Sequence, residues 1–223
     1  ADLIVFTGMS PFFHISKDIA TSLKDKGEEA SICIGGPHIT IMEEQAFDKA
    51  FDYGFIGDGE ESWDKFLSAI SKDESLDSVP GLLRRSGEHV LKNEKMSSNN
   101  NLDVYPRPAY HLLNMHKYAL GTLRGRLKFA SIQTVRGCPW QCIFCASDKL
   151  ETTKISKRSI KSVMDEIEFL VNTYGTKHFM IVDDVLTLQR TRTVEFCEAI
   201  LERKLGITFE GSTRANLLDD DLV

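Results

Sequence analysis

Apolar residues in the first third of the chain fall into short continuous runs: Leu3 to Thr7 (LIVFT), Ala30 to Ile34 (ASICI) and Tyr53 to Ile56. Runs of this length predict strands, and unbroken rather than alternating apolarity predicts burial on both faces. Between them the spacing turns helical. Ile19, Ala20 and Leu23 share one side of a stretch from Ser16 to Lys26 that stops at Gly27. Glu43 to Phe51 reads as a second helix, and Glu60 to Ile70 as a third, after Gly57-Asp58-Gly59. Strands alternating with helices, each strand closing on a turn, predict a parallel α/β sheet.

From Lys72 to Arg126 the pattern breaks. This stretch holds Pro80-Gly81, a polar run from Ser97 to Asn101, and Pro106-Arg107-Pro108. Leu82 to Leu91 reads as a small hairpin turning at Ser86-Gly87, and the remainder as irregular connection. A second alternation then begins: strand Phe129 to Val135, helix Ser159 to Tyr174, strand His178 to Val182, helix Thr191 to Lys204, and strand Ile207 to Gly211. In the first of these helices Ile160, Val163, Ile167 and Leu170 stand at helical spacing. The expected organisation is a domain over 1–75, a connecting region over 76–126 and a second domain over 127–223.

Composition narrows the function classes. The chain has 223 residues, 42% hydrophobic and 27% charged, with a formal net charge of −6. An acidic balance argues against a surface built to hold a nucleic-acid backbone. No apolar run reaches the roughly 18 residues that a membrane span needs, and the first residues lack the basic region and cleavage pattern of a signal peptide. The chain opens without Met directly on a strand-like segment, so it is expected to be a piece of a longer protein. Five cysteines, an odd number and mostly clustered, fit a reducing, cytoplasmic compartment and a metal or redox role rather than a disulfide framework.

The cluster lies in the stretch TVRGCPWQCIFCAS, residues 134–147. Cys138, Cys142 and Cys145 form C-x3-C-x2-C on the loop leaving a strand. Structural zinc normally takes four ligands in CxxC pairs; a closed iron–sulfur centre takes four thiolates; and three cysteines can cluster by chance. Cys33 and Cys197 sit within apolar elements and read as inert core. A fourth reading accounts for the number three: a four-iron cluster on three thiolates leaves one iron open to a ligand, as catalytic zinc sites keep one position free.

On these residues the loop resembles that of the radical S-adenosylmethionine (SAM) enzymes, with Arg136-Gly137-Cys138-Pro139 at its entry and Phe144 before the last cysteine. The resemblance implies a [4Fe-4S] cluster on the three cysteines, SAM chelating the open iron, and reductive cleavage of the sulfonium to a 5′-deoxyadenosyl radical. It also implies an electron donor such as ferredoxin or flavodoxin and a small-molecule substrate. Phe144 is expected near the adenine, or else as an apolar plug. Asp183-Asp184 stand where many members carry Gly-Gly-Glu against the methionine ammonium; an N-cap is the alternative. Arg214, in Ser212-Thr213-Arg214, is expected to pair with the methionine carboxylate, or else with Asp219 or Asp220 at the surface.

Gly35-Gly36-Pro37-His38 and Gly57-Asp58-Gly59-Glu60-Glu61 resemble the cobalamin-binding domain that precedes the barrel in one large class of this family, which includes the anaerobic magnesium-protoporphyrin IX monomethyl ester cyclases and carbon methyltransferases. Gly35, Gly36, Gly57 and Gly59 are then expected along the cobalamin tail, with Thr7 or Ser10 as the hydroxyl residue preceding them. His38 reads as a hydrogen-bond partner rather than an axial ligand, and the other histidines as structural. The implied fold class is α/β: a partial Rossmann-like cobalamin-binding-type domain followed by the first half of a radical SAM partial (β/α) TIM-like barrel. The alternatives are a radical SAM enzyme without bound cobalamin, and a non-catalytic iron–sulfur or zinc redox module.

Overall fold

A computed structural model describes residues 2–96, 99–122, 125–150 and 154–222. Ser97 and Ser98 of the polar run lie outside them. The chain divides into two compact units, Ala1–Ser98 and Asn99–Val223.

In the first unit the elements run β1 (Leu3–Thr7), α1 (Phe13–Asp25), β2 (Ser31–Gly35), α2 (Pro37–Met42), β3 (Tyr53–Phe55), α3 (Gly59–Lys72), β4 (Leu82–Ser86) and β5 (His89–Lys92). Among the described residues they build a five-stranded sheet in the order β1-β2-β3-β4-β5. The first three strands are parallel, and β4 and β5 join antiparallel. β2 shows why its run is apolar throughout. Ile32 and Ile34 pack on one face with Ala20 of α1, Ile39 of α2, Phe47 and Phe51, while Cys33 packs on the other with Phe55, Phe66 of α3 and Leu82.

Three expectations change here. β1 pairs only with β2 among the described residues, so it is an edge, and Val5 is 54% exposed rather than buried. The helix expected over Glu43 to Phe51 is displaced toward the N-terminus: α2 starts at Pro37, a residue suited to a first helical turn, and ends where Glu43 takes φ +50. A 3-10 turn follows over Glu43–Ala46, and Phe47 and Phe51 are buried from irregular backbone. The hairpin read as part of a connection is a component of the sheet, because Leu82 and Leu83 are fully buried against its two faces. Residues 76–98 therefore lie in the first unit and 99–126 in the second.

The second unit runs β6 (Ala119–Thr122), β7 (Gly125–Ile132), β8 (Val135–Arg136), α4 (Ser147–Leu150), β9 (Ser156–Lys157), α5 (Ile160–Tyr174), β10 (His178–Ile181), α6 (Arg190–Arg203) and β11 (Thr208–Gly211). The main sheet has the order β11-β10-β7-β6, with β7, β10 and β11 parallel and β6 antiparallel to β7. Ser159 caps α5 by accepting from Ser162 N, and Gly175 ends it at φ +67. The apolar stripe of α5 (Val163, Met164, Ile167, Leu170) packs on Ala130 and Ile132 of β7, Phe179 and Ile181 of β10, and Phe196 of α6. His178 and Met180, which alternate with the buried pair, are partly exposed. The strand expected from Phe129 to Val135 is split. β7 ends at Ile132, and Val135–Arg136 pairs antiparallel with β9 instead. Among the described residues no helix is long and apolar enough to cross a membrane.

Gly81 locks the hairpin to β3. Ile56 N donates to Gly81 O at 2.9 Å, and Gly81 takes φ +62. A Cβ there would lie 2.3 Å from the Ile56 carbonyl oxygen. Gly81→Ala is expected to destabilise the first unit by about 1–3 kcal/mol, since strain and clash act together. Urea unfolding followed by circular dichroism checks this, and a variant as stable as the parent contradicts it.

Candidate functional site

In a parallel α/β sheet, ligands lie at the carboxyl ends of the strands. In the first unit that end gathers the expected residues. Gly8 N donates to Gly35 O at 3.0 Å, and His38 N donates to Gly8 O at 2.9 Å, so the turns after β1 and β2 are stitched together. Gly36 holds φ +95, and a Cβ on it would meet Thr7 Oγ1 at 2.6 Å. Its missing side chain is thus accounted for by the chain's own packing. Gly35 and Gly57 differ: a Cβ on either would meet nothing within 4 Å, so their backbones face open space. Gly57 N donates to the buried Thr40 hydroxyl at 3.1 Å. Ser10 Oγ is 3.0 Å from His38 Nδ1, and the His38 ring lies tilted against Phe13 with centroids 4.2 Å apart, so this histidine is a hydrogen-bond partner. Gly59 opens α3 with Trp63 nearby.

The second unit places the cysteine loop at the carboxyl end of β7. Its foundation is Asp183, immediately beyond β10 and only 3% exposed. Thr134 N donates to its Oδ1 at 2.6 Å, Val135 N to the same atom at 3.0 Å, and the Thr134 hydroxyl to Oδ2 at 2.5 Å. Burial pushes this carboxyl above its ordinary value of 3.8, against the opposing pull of those three hydrogen bonds. Both oxygens accept from the chain, so Asp183 anchors the start of the loop, and it also lines the cavity at this strand end. Alternation along the chain turns the next side chain outward. Asp184 is exposed and accepts from Ser147 Oγ at 3.2 Å, and Ser147 Oγ in turn accepts from Cys145 Sγ at 3.2 Å.

Arg214, beyond β11, reaches the same loop. Its Nη1 donates to Cys142 Sγ at 3.3 Å, and its guanidinium lies over the Trp140 ring, 4.7 Å from the centroid. The alternative partner, Asp219, is paired with Arg190. Arg214 Nε is buried without a hydrogen-bond partner. Ile143 and Phe144 are exposed at the loop tip, Phe144 at 90%. An open cavity of about 480 Å³ lies beside the loop end of β10 and β11, lined by Met180, Val182, Asp184, Glu210, Gly211 and Ser212.

The residues fit the group that the motif implies by their chemistry. Three soft thiols share one loop, apolar side chains stand exposed beside them, and a buried guanidinium nitrogen lacks an acceptor. Among the described residues no three His, Cys, Asp or Glu side chains stand together as a ready metal site; thiolate loops close on their metal as it binds. Cys33 and Cys197 are set apart from this role. Burial pushes Cys33 up to about 12 and raises Cys197 as well.

Sequence reasoning missed Trp140, Ser147 and Glu210. The first two lie inside the cysteine stretch itself, where an aromatic after Pro139 and a hydroxyl two residues past the last cysteine were the available signals.

A carboxyl held above its ordinary value stabilises the fold most when protonated. Below 3.8 it is protonated in both states, and stability is lost as pH rises through the higher folded value. Asn mimics the protonated form, so Asp183→Asn is expected to remove this part of the pH dependence. Urea midpoints of the two proteins compared between about pH 4 and about pH 7 check it; parallel curves contradict it.

No family model matches the chain. It is 27% identical over 221 residues to an uncharacterized methyltransferase of Pyrococcus horikoshii, covering 98% of this chain and 47% of that protein. It is 29% identical over 223 residues to the anaerobic magnesium-protoporphyrin IX monomethyl ester cyclase of Synechocystis sp., covering 99% and 43%. The radical SAM methyltransferase TsrM of Kitasatospora setae, solved with cobalamin and a [4Fe-4S] cluster bound, superposes with a TM-score of 0.69 at 19% identity, over 91% of this chain and 41% of that one. At that identity the likeness establishes a shared mixed α/β fold. The chain spans less than half the length of these curated relatives. The chain is a homologue, over part of their length, of the anaerobic magnesium-protoporphyrin IX monomethyl ester cyclases and the cobalamin-dependent radical SAM methyltransferases.

Proposed function

We propose that the second unit is the opening half of a radical SAM barrel. In this reading Cys138, Cys142 and Cys145 hold a [4Fe-4S] cluster with SAM on its open iron, and the first unit is of the cobalamin-binding type. The observation that carries it is the convergence on one three-thiol loop of groups from the next two parallel strand ends: Asp184 through Ser147, and Arg214 directly. The sheet supports a barrel, because β7, β10 and β11 lie in sequence order and bury their alternate residues against α5 and α6. The homologues support the class of reaction, methyl transfer or oxidative cyclisation of a small molecule.

When bound, the cluster and SAM supply reductive cleavage of the sulfonium to a 5′-deoxyadenosyl radical, and cobalamin supplies a methyl carrier. The chain's own residues bind and orient. The open edge of Arg214, its Nε, is placed to receive a carboxylate in a charge-assisted bond. Asp184 is the carboxylate free of the core, suited to an ammonium, and Phe144 offers an exposed ring for an adenine. In the first unit the open backbones at Gly35 and Gly57, with Thr7, Ser10 and Gly59 nearby in the turns, are assigned to the corrin tail. An electron donor of the ferredoxin or flavodoxin type and a reducing, cytoplasmic setting complete the proposal. A second reading, a SAM-binding cluster protein that holds no corrin, is favoured by Gly36, whose bare Cα the Thr7 contact already explains.

Anaerobic reconstitution of the chain separates these readings. Uptake of about four irons and four sulfides, with an electron-paramagnetic signal altered by SAM, is the expected result, and Cys142→Ala should abolish it. One zinc without sulfide would instead make the chain a redox or structural module. Hydroxocobalamin retained through gel filtration supports the corrin site, and its complete loss leaves the second reading.

A further inference from the structure

Arg214 and Trp140 are remote in sequence, yet the guanidinium carbon lies over the Trp140 ring, 4.7 Å from its centroid. Trp140 sits between Cys138 and Cys142, and Arg214 lies 72 residues beyond Cys142. The guanidinium lies over the indole with Nη1 on Cys142 Sγ, while Nε is buried and unpaired. A planar cation on an aromatic face is fixed in tilt as well as position, which a lysine ammonium cannot reproduce.

We infer that Trp140 is a positioning residue. Its ring holds the Arg214 guanidinium flat, so that one edge of that group braces the middle cysteine while Nε stays turned to a ligand. The stack ties the cysteine loop to the end of β11. The opposite flank is tied separately, through Cys145, Ser147 and Asp184 on the end of β10. With both flanks braced, the thiols enter metal binding from a restricted loop, which lowers the ordering cost of closing it. What the loop holds rests on the reading above; the brace rests on the contacts of Arg214 with Trp140 and Cys142.

The test uses the two-tryptophan composition. In a Trp63→Phe background Trp140 is the single emitter, and its quenching by acrylamide is read in reduced, metal-free protein. Arg214→Ala is expected to raise the quenching constant about twofold or more, and Arg214→Lys to raise it nearly as much, because the planar cover is lost. In parallel, anaerobic reconstitution with limiting iron and sulfide is followed in the Trp140 series. Trp140→Ala should load several-fold more slowly than the parent, with Trp140→Phe restoring most of the rate because it keeps an aromatic face. Unchanged quenching in both Arg214 variants overturns the brace, as does equal loading by Trp140→Ala and Trp140→Phe. Should Arg214→Ala fail to fold by circular dichroism, Arg214→Lys and Trp140→Phe carry the test. If the parent takes up no cluster while the quenching changes as expected, the brace stands and the cluster reading fails.

Discussion

The second unit depends on one buried carboxylate. Parallel pairing sets Ile181 opposite Ile132, and Val182 N donates to Ile132 O at 2.9 Å. That register delivers Asp183 to the point where β7 runs out. Thr134 and Val135 then have backbone N–H groups that leave the main sheet inside a buried region, where an unpaired donor costs about 1–3 kcal/mol. Asp183 accepts both, along with the Thr134 hydroxyl. The chain is thereby released from β7, turned into the short β8–β9 pairing, and sent into the cysteine loop. Burial raises the proton affinity of Asp183, against the opposing pull of these hydrogen bonds.

The same strand end does two jobs by parity. Consecutive side chains leave an extended backbone on opposite sides, so Asp183 faces the core and Asp184 faces the loop. One residue therefore fixes where the loop begins and its neighbour helps fix where it ends, through Ser147 beside Cys145. Arg214 adds a third hold from the adjacent strand. Three parallel strand ends in sequence order thus contribute the loop, its foundation and its brace. A sheet with that connectivity can position a small-molecule site without drawing on any distant element.

Much of the architecture was legible because the signals were local. The α5 stripe, β2 and β10 follow from apolar spacing, and their observed bounds lie within a residue or so of expectation. What escaped was set by tertiary context. The run Leu3 to Thr7 resembles a central strand, yet sheet order leaves it at an edge, and order is not written in its own residues. Glu43 to Phe51 read as a helix, but Phe47 and Phe51 are buried from irregular backbone once Pro37 starts the helix early and Glu43 ends it. In the candidate site, spacing and position were enough to single out the cysteines and Arg214, which the fold brings to one loop. The division of labour between Asp183 and Asp184 was not, because it turns on which of two adjacent carboxylates meets Thr134.

The contrast among the five cysteines shows how the fold sorts one functional group into two chemistries. Cys33 lies in an interior strand of a sheet covered on both faces, where an ionised sulfur would be stranded in apolar surroundings; burial drives its proton affinity up to about 12 and leaves it inert. Cys197, on α6, is shifted the same way by partial burial. Cys138, Cys142 and Cys145 sit on a loop with water access, and Cys142 also has a cation at contact distance. Thiolate is the form that binds metal, and burial disfavours it at Cys33 and Cys197. The fold thus sets three sulfurs on one loop apart from the two within β2 and α6, by where those elements and the end of β7 place them.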